Sequence, residues 1–198
     1  DLDTGMNRTG ILRENVDELL DYIRMSKNKN LKGIHAYDGQ TYGIVSVEER
    51  TLDTKKTLSD IRDVESQIKE KFSYNECEII VGGSWSFHFY IDQKDIKLSP
   101  GTWIYWDASN SKQKELDFEI AGLVLGQVID ENIDNGTVTI DIGAKAISSD
   151  PLTENRLHLI DKPNSKLIFQ NEEHGIIQLN GDSLNIGDYV LAKPGHAC

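Results

Sequence analysis

Apolar positions follow two different periods along the chain. Between Arg13 and Lys27, Val16, Leu19, Leu20, Ile23 and Met25 recur at close to the 3.6-residue spacing of a helix packed on one face. Leu58, Ile61, Val64 and Ile68 repeat that spacing over Thr54 to Phe72, after a polar loop from Tyr42 to Thr51. Two short apolar runs accompany these helices: Leu31 to Tyr37, closed by Asp38-Gly39, and Glu78 to Val81, closed by Gly82-Gly83-Ser84. The order is βαβαβ. Crossovers of this length imply parallel strands with helices outside, in an open sheet or part of a β/α barrel.

Near Asp107 the pattern changes. Ala121 to Ile129, Thr137 to Ile142, Leu157 to Ile160, Leu167 to Phe169, Ile176 to Leu179 and Tyr189 to Ala192 are short runs of Val, Ile and Leu. Turn clusters such as Asp134-Asn135-Gly136 and Asn180-Gly181-Asp182-Ser183 separate them, which favours antiparallel sheet in a barrel or sandwich. The chain thus reads as two domains, residues 1–106 and 107–198.

Composition narrows the partners. Lys and Arg total 21 against 33 Asp and Glu, a net charge of −12 that repels nucleic-acid backbones and anionic lipid. No apolar run approaches the roughly 20 residues of a membrane helix, and no signal region opens the chain. Cys77 and Cys198 form no spaced framework, which points to a reducing compartment, the cytoplasm by default. The chain opens at Asp1 without a Met and stops just after a strand, and so reads as a segment of a longer polypeptide. A partial barrel should also expose unpaired strand edges and aggregate when isolated.

Six places carry candidate chemistry. Gly82-Gly83-Ser84 ends a parallel strand, where backbone amides converge on a phosphate in β/α folds, or where glycine merely makes a turn. Arg8, in Asp3-Thr4-Gly5-Met6-Asn7-Arg8-Thr9-Gly10, would lie on the same face and hold a phosphate or phenolate oxygen, or else cap a turn. His196 and Cys198 are two apart at a strand end, so the pleat points both one way. Imidazole with thiolate suits zinc, while the plain alternative is a buried thiol beside an unrelated histidine. Lys145 is either a buried reactive lysine or the partner of Asp141 or Asp150. His174 reads as a general base or as part of an exposed turn, and Trp85, Trp103 and Trp106 as a pocket wall or core packing.

In order, the Asp3 to Gly10 motif, Gly33-Ile34-His35-Ala36-Tyr37-Asp38-Gly39, Val81-Gly82-Gly83-Ser84, Ser99-Pro100-Gly101-Thr102 running to Trp106-Asp107, Asp141-Ile142-Gly143-Ala144-Lys145, Glu172-Glu173-His174 and His196-Ala197-Cys198 resemble the D-threonine aldolase and D-serine dehydratase-like family. These are fold type III enzymes that use pyridoxal 5′-phosphate, and the likeness is to the D-threonine aldolase-type members. The resemblance implies an α/β plus β fold: the C-terminal portion of an alanine racemase-like, TIM-type β/α barrel followed by an antiparallel β-barrel domain. It implies a homodimer whose partner helps enclose the site.

By the same resemblance Arg8 holds the cofactor's phenolic oxygen, Tyr37 faces its ring, and the amides around Gly82, Gly83 and Ser84 hold its phosphate. His196 and Cys198 bind a divalent metal, zinc favoured and manganese possible. The substrate is a small D-β-hydroxy amino acid, cleaved to glycine and an aldehyde. The alternatives are a D-serine dehydratase giving pyruvate and ammonia, and a non-catalytic homologue that binds the cofactor. Two departures stand out. The family's Schiff-base lysine belongs to an early barrel strand, so none here is assigned that role and the segment alone should be inactive. Trp85 also stands where relatives usually have proline or threonine.

Overall fold

The computed structural model describes residues 1–26, 31–72 and 77–197, and the chain separates into two compact units, Asp1–Gly101 and Thr102–Cys198. The first is built on parallel strands. β1 (Leu2–Asp3) pairs with β2 (Ile11–Leu12), a short 3-10 turn leads into α1 (Val16–Met25), and β3 (Gly33–Ala36) is followed by α2 (Val47–Phe72). β4 (Glu78–Val81) then lies between β3 and β5 (Ile96–Leu98). Alternation along β3 and β4 turns Ile34, Ala36, Ile79 and Val81 inward, against Ile61, Val64 and Ile68 of α2 and Leu20 of α1.

The second helix begins at Val47, well before the expected Thr54, and takes in part of the expected loop. Ser46 caps it: its Oγ accepts the Glu49 amide proton at 3.2 Å, in a Ser46-Val47-Glu48-Glu49 sequence with capping-box spacing. The apolar period missed this turn because the buried face of α2 starts polar. Arg50, Thr54 and Thr57 are buried first, and only from Ile61 onward does the face become mainly aliphatic. β5 was also not anticipated, since it offers only Ile96 and Leu98 around Lys97.

The second unit holds all six expected strands: β6 (Val124–Asn132), β7 (Thr137–Ile140), β8 (Leu157–Leu159), β9 (Lys166–Gln170), β10 (Gly175–Gln178) and β11 (Tyr189–Pro194). They follow the order β8-β11-β6-β7-β10-β9, antiparallel throughout, in a nearly closed barrel. The interior is aliphatic, centred on Val128, Val138, Ile140, Leu157, Leu167, Ile177 and Val190. Trp106 belongs to this unit, its buried ring lying edge-on to Phe118 with centroids 4.9 Å apart. No helix among the described residues is long and apolar enough to cross a membrane.

Candidate functional site

At the end of β1, Asp3 folds the loop that carries Arg8. Its Oδ1 accepts the amide protons of Gly5 at 2.9 Å and Asn7 at 3.1 Å, and these bonds hold its carboxyl below the usual range. Asn7 adopts a φ of 54°, a conformation that asparagine tolerates better than most residues. Arg8 then lies with its guanidinium 5.0 Å from the centroid of the Tyr37 ring.

One edge of that ring faces the glycine turn after β4. A Cβ on Gly83 would stand 3.0 Å from the Tyr37 ring, and one on Gly82, whose φ is 98°, would stand 3.3 Å from the Phe87 Cα. Backbone conformation therefore calls for glycine at Gly82, while at Gly83 any larger residue would press on the Tyr37 ring. Arg8, Tyr37, Gly82 and Gly83 are thus brought to one place, with Ser84 next on the turn.

Behind the turn stands a polar brace whose members were not foreseen as such. Asp38 has no solvent exposure; its Oδ1 accepts the Ser86 hydroxyl proton at 2.6 Å and its Oδ2 that of Tyr90 at 2.7 Å. Ser86 Oγ in turn accepts the Gly83 amide proton at 2.8 Å. Burial pushes the Asp38 carboxyl up, against the opposing pull of the Ser86 and Tyr90 bonds. Burial and the adjacent carboxylate push the Tyr90 phenol up as well. Arg50, wholly buried on α2, donates to the Trp85 carbonyl at 3.1 Å and lies over the Trp85 and Phe89 rings. These residues are scattered over some fifty positions with no local spacing. The one signal available was Asp38 itself, a carboxylate that closes an apolar run and was read only as half of a turn.

In the second unit the chain around His196 is pinned from several sides. Buried Asp107 accepts the Asn110 amide proton at 2.8 Å and that of Ala197 at 2.9 Å. Ala108 and Ser109 donate to the Pro194 and Gly195 carbonyls, and Gly195 donates to Arg156. His196 Nδ1 lies 2.7 Å from Asp150 Oδ2, and Asp150 also accepts the Ser148 hydroxyl. Burial acts to raise the Asp150 carboxyl, but the Ser148 and His196 bonds hold it below the usual range. An imidazole that gives its Nδ1 proton to a carboxylate carries its lone pair on Nε2, the arrangement common in metal-ligating histidines. Cys198 lies outside the described residues, and among those described no three His, Cys, Asp or Glu gather as a metal set.

The remaining candidates resolve simply. Lys145 is exposed and pairs with Glu172 at 2.7 Å and Glu173 at 3.1 Å, so the expected pairing with Asp141 or Asp150 is replaced. Asp141 accepts the Gln127 amide instead. His174 sits in an exposed turn, and Trp85 and Trp106 are buried in packing.

Residues 121–198 match the family model described as "Putative serine dehydratase domain". The chain is 23% identical over 207 residues to 3-hydroxy-D-aspartate aldolase of Paracoccus denitrificans, covering 99% of this chain and 52% of that protein. It therefore spans about half the length of the curated relative it matches. An alanine racemase-like protein from Idiomarina loihiensis superposes with a TM-score of 0.84 at 22% identity, over 99% of this chain and 56% of that one. D-threonine aldolase from Filomicrobium marinum gives 0.76 at 24%, over 98% and 52%. D-threo-3-hydroxyaspartate dehydratase from Delftia sp. HT23 gives 0.75 at 19%, over 100% and 58%, and an enzyme of that name also matches as a cysteine-to-alanine variant in the metal-free form. The fold is alanine racemase-like, the β/α and β-barrel parts both present.

Proposed function

We propose that this chain is part of a pyridoxal 5′-phosphate-dependent, divalent-metal-assisted lyase of D-β-hydroxy amino acids, of the D-threonine aldolase type. One observation carries the proposal: Arg8, Tyr37 and the Gly82-Gly83 turn converge beyond the ends of parallel strands in a fold shared with proteins named as aldolases and dehydratases of such substrates. The residues fit the cofactor. Tyr37 offers a ring, Arg8 an exposed cation over it, and Gly82 and Ser84 a turn for the phosphate. The Gly83 amide is spent on Ser86, so Gly83 contributes room rather than a donor.

When bound, the cofactor supplies an electron sink for charge developing at the substrate Cα. Around it, Arg8 fixes orientation through an always-charged fork, and Tyr37 bars one face to water. His196, with Cys198, would hold the metal, a Lewis acid suited to a β-hydroxyl; zinc agrees with imidazole and thiolate donors, and manganese is the alternative. Asp150 fits that role for His196 by occupying Nδ1. The reading includes a homodimer in the cytoplasm, to be checked by sedimentation and cell fractionation.

A dehydratase is the second reading, favoured by the description of the model matching residues 121–198. The full-length gene product, supplied with cofactor and metal, separates the two. D-threonine should yield glycine and acetaldehyde, and D-3-hydroxyaspartate glycine and glyoxylate, if Cα–Cβ is cleaved. Ammonia with pyruvate from D-serine, or with oxaloacetate from D-3-hydroxyaspartate, marks the dehydratase. Release of none of these, with the cofactor bound, leaves a non-catalytic binding protein.

A further inference from the structure

Asp38 closes β3 as a fully buried carboxylate, a costly group that packing alone does not require. Its use is read from its partners. The Ser86 hydroxyl has a single proton, and it goes to Asp38 at 2.6 Å. Toward Gly83 the same oxygen acts as acceptor, and it takes the Gly83 amide at 2.8 Å. The sequence of donors therefore runs one way, from backbone to serine to carboxylate, with Tyr90 donating to the second carboxylate oxygen. This fixes the direction in which the glycine turn presents its remaining groups. Asp38 also directly follows Tyr37, whose ring lies against Gly83.

We propose that Asp38, Ser86 and Tyr90 are positioning residues that preset the Gly82-Gly83-Ser84 turn for the cofactor's phosphate. The proposal rests on the cofactor reading above. None of the three touches the cofactor in this scheme. Their effect is specific to its phosphate, since the turn they hold is the phosphate end of the site.

The test compares pyridoxal 5′-phosphate with pyridoxal, which lacks the phosphate, as ligands of the full-length gene product. Affinities are taken from tryptophan fluorescence quenching, and unfolding midpoints are recorded alongside. Ser86→Ala should weaken the phosphorylated form by roughly tenfold while leaving pyridoxal unchanged, because the turn is then no longer preset and must be ordered on binding. Ser86→Thr, which keeps the hydroxyl, should restore the preference. Tyr90→Phe removes one hydroxyl and should move the ratio the same way by less, which keeps the test open should Ser86→Ala fold poorly. Equal weakening of both ligands in Ser86→Ala and Tyr90→Phe, or an unchanged ratio, overturns the proposal. A parent protein that binds neither ligand overturns the cofactor reading itself, and this proposal with it.

Discussion

The parallel-strand unit and the interior of the barrel treat polar groups differently, although outside the barrel interior the second unit also buries Asp107, Asn110 and Gln113. In the parallel-strand unit Asp38, Thr41, Arg50, Thr54, Thr57 and Ser86 are all nearly or wholly buried. In the barrel the interior cluster is aliphatic throughout, and carboxylates such as Asp182 sit at the loops, within reach of water. Burying a polar group costs free energy unless each bond is satisfied, so a barrel interior of Ile, Leu and Val is the cheaper design. The first unit departs from it beside Tyr37 and the Gly82-Gly83 turn, where the brace shapes a surface rather than fills a core. Where a fold spends buried polar bonds on a loop, the loop's shape has a use.

The largest expected effect comes from the apolar side of this contrast. Ile177 is fully buried in the barrel, and Ile177→Ala should cost about 2–5 kcal/mol of stability, measured by urea unfolding under circular dichroism. Its cofactor affinity, measured below the unfolding transition, should match the parent. A selective loss of phosphate preference in Ile177→Ala, like that expected of Ser86→Ala, would break the division of labour between the units.

Asp150→Ala should come next, with a roughly 10- to 100-fold loss of zinc affinity in the full-length gene product, read by chelator competition. The unfolding midpoint should barely move, because Asp150 is half exposed and braces a ring rather than a core. Unchanged zinc affinity would remove Asp150 from the metal's support.

Legibility divides along the same line. The six barrel strands could be read from residues such as Val138, Ile140 and Ile177, because an aliphatic interior writes itself into the sequence as short apolar runs between Gly and Asn turns. The first turns of α2 could not, because Arg50 and Thr54 take core positions without looking apolar. Arg8, Tyr37 and the glycine turn were found through strand ends and motif. Asp38, Ser86 and Tyr90 were not, since hydrogen bonds across 48 and 52 residues leave no local spacing to detect. His196 was singled out by its distance from Cys198, whereas Asp150 reaches it only through the fold.

The smallest effects are in pH, and they have opposite signs in the two units. Burial raises the Asp38 carboxyl above its ordinary 3.8, so between that value and the folded one the native state holds more protons than the unfolded chain. Stability attributable to Asp38 therefore falls as pH rises through that window and is level above it, and Asp38→Asn should remove this slope. Asp182 does the reverse. It accepts the Asn164 and Ser165 amide protons at 3.0 and 2.9 Å, the Ser165 hydroxyl at 2.9 Å and the Asn164 side-chain amide at 3.2 Å. Burial opposes these bonds, but together they lower its carboxyl below 3.8. Its contribution is therefore complete above the ordinary value and is lost as pH falls through the folded one. Asp182→Asn should flatten the acid limb of urea-unfolding stability by a small amount, without changing the limb that Asp38 controls. If Asp182→Asn instead altered the slope above 3.8, the carboxylates of the two units would not be doing the separate work that their partners indicate.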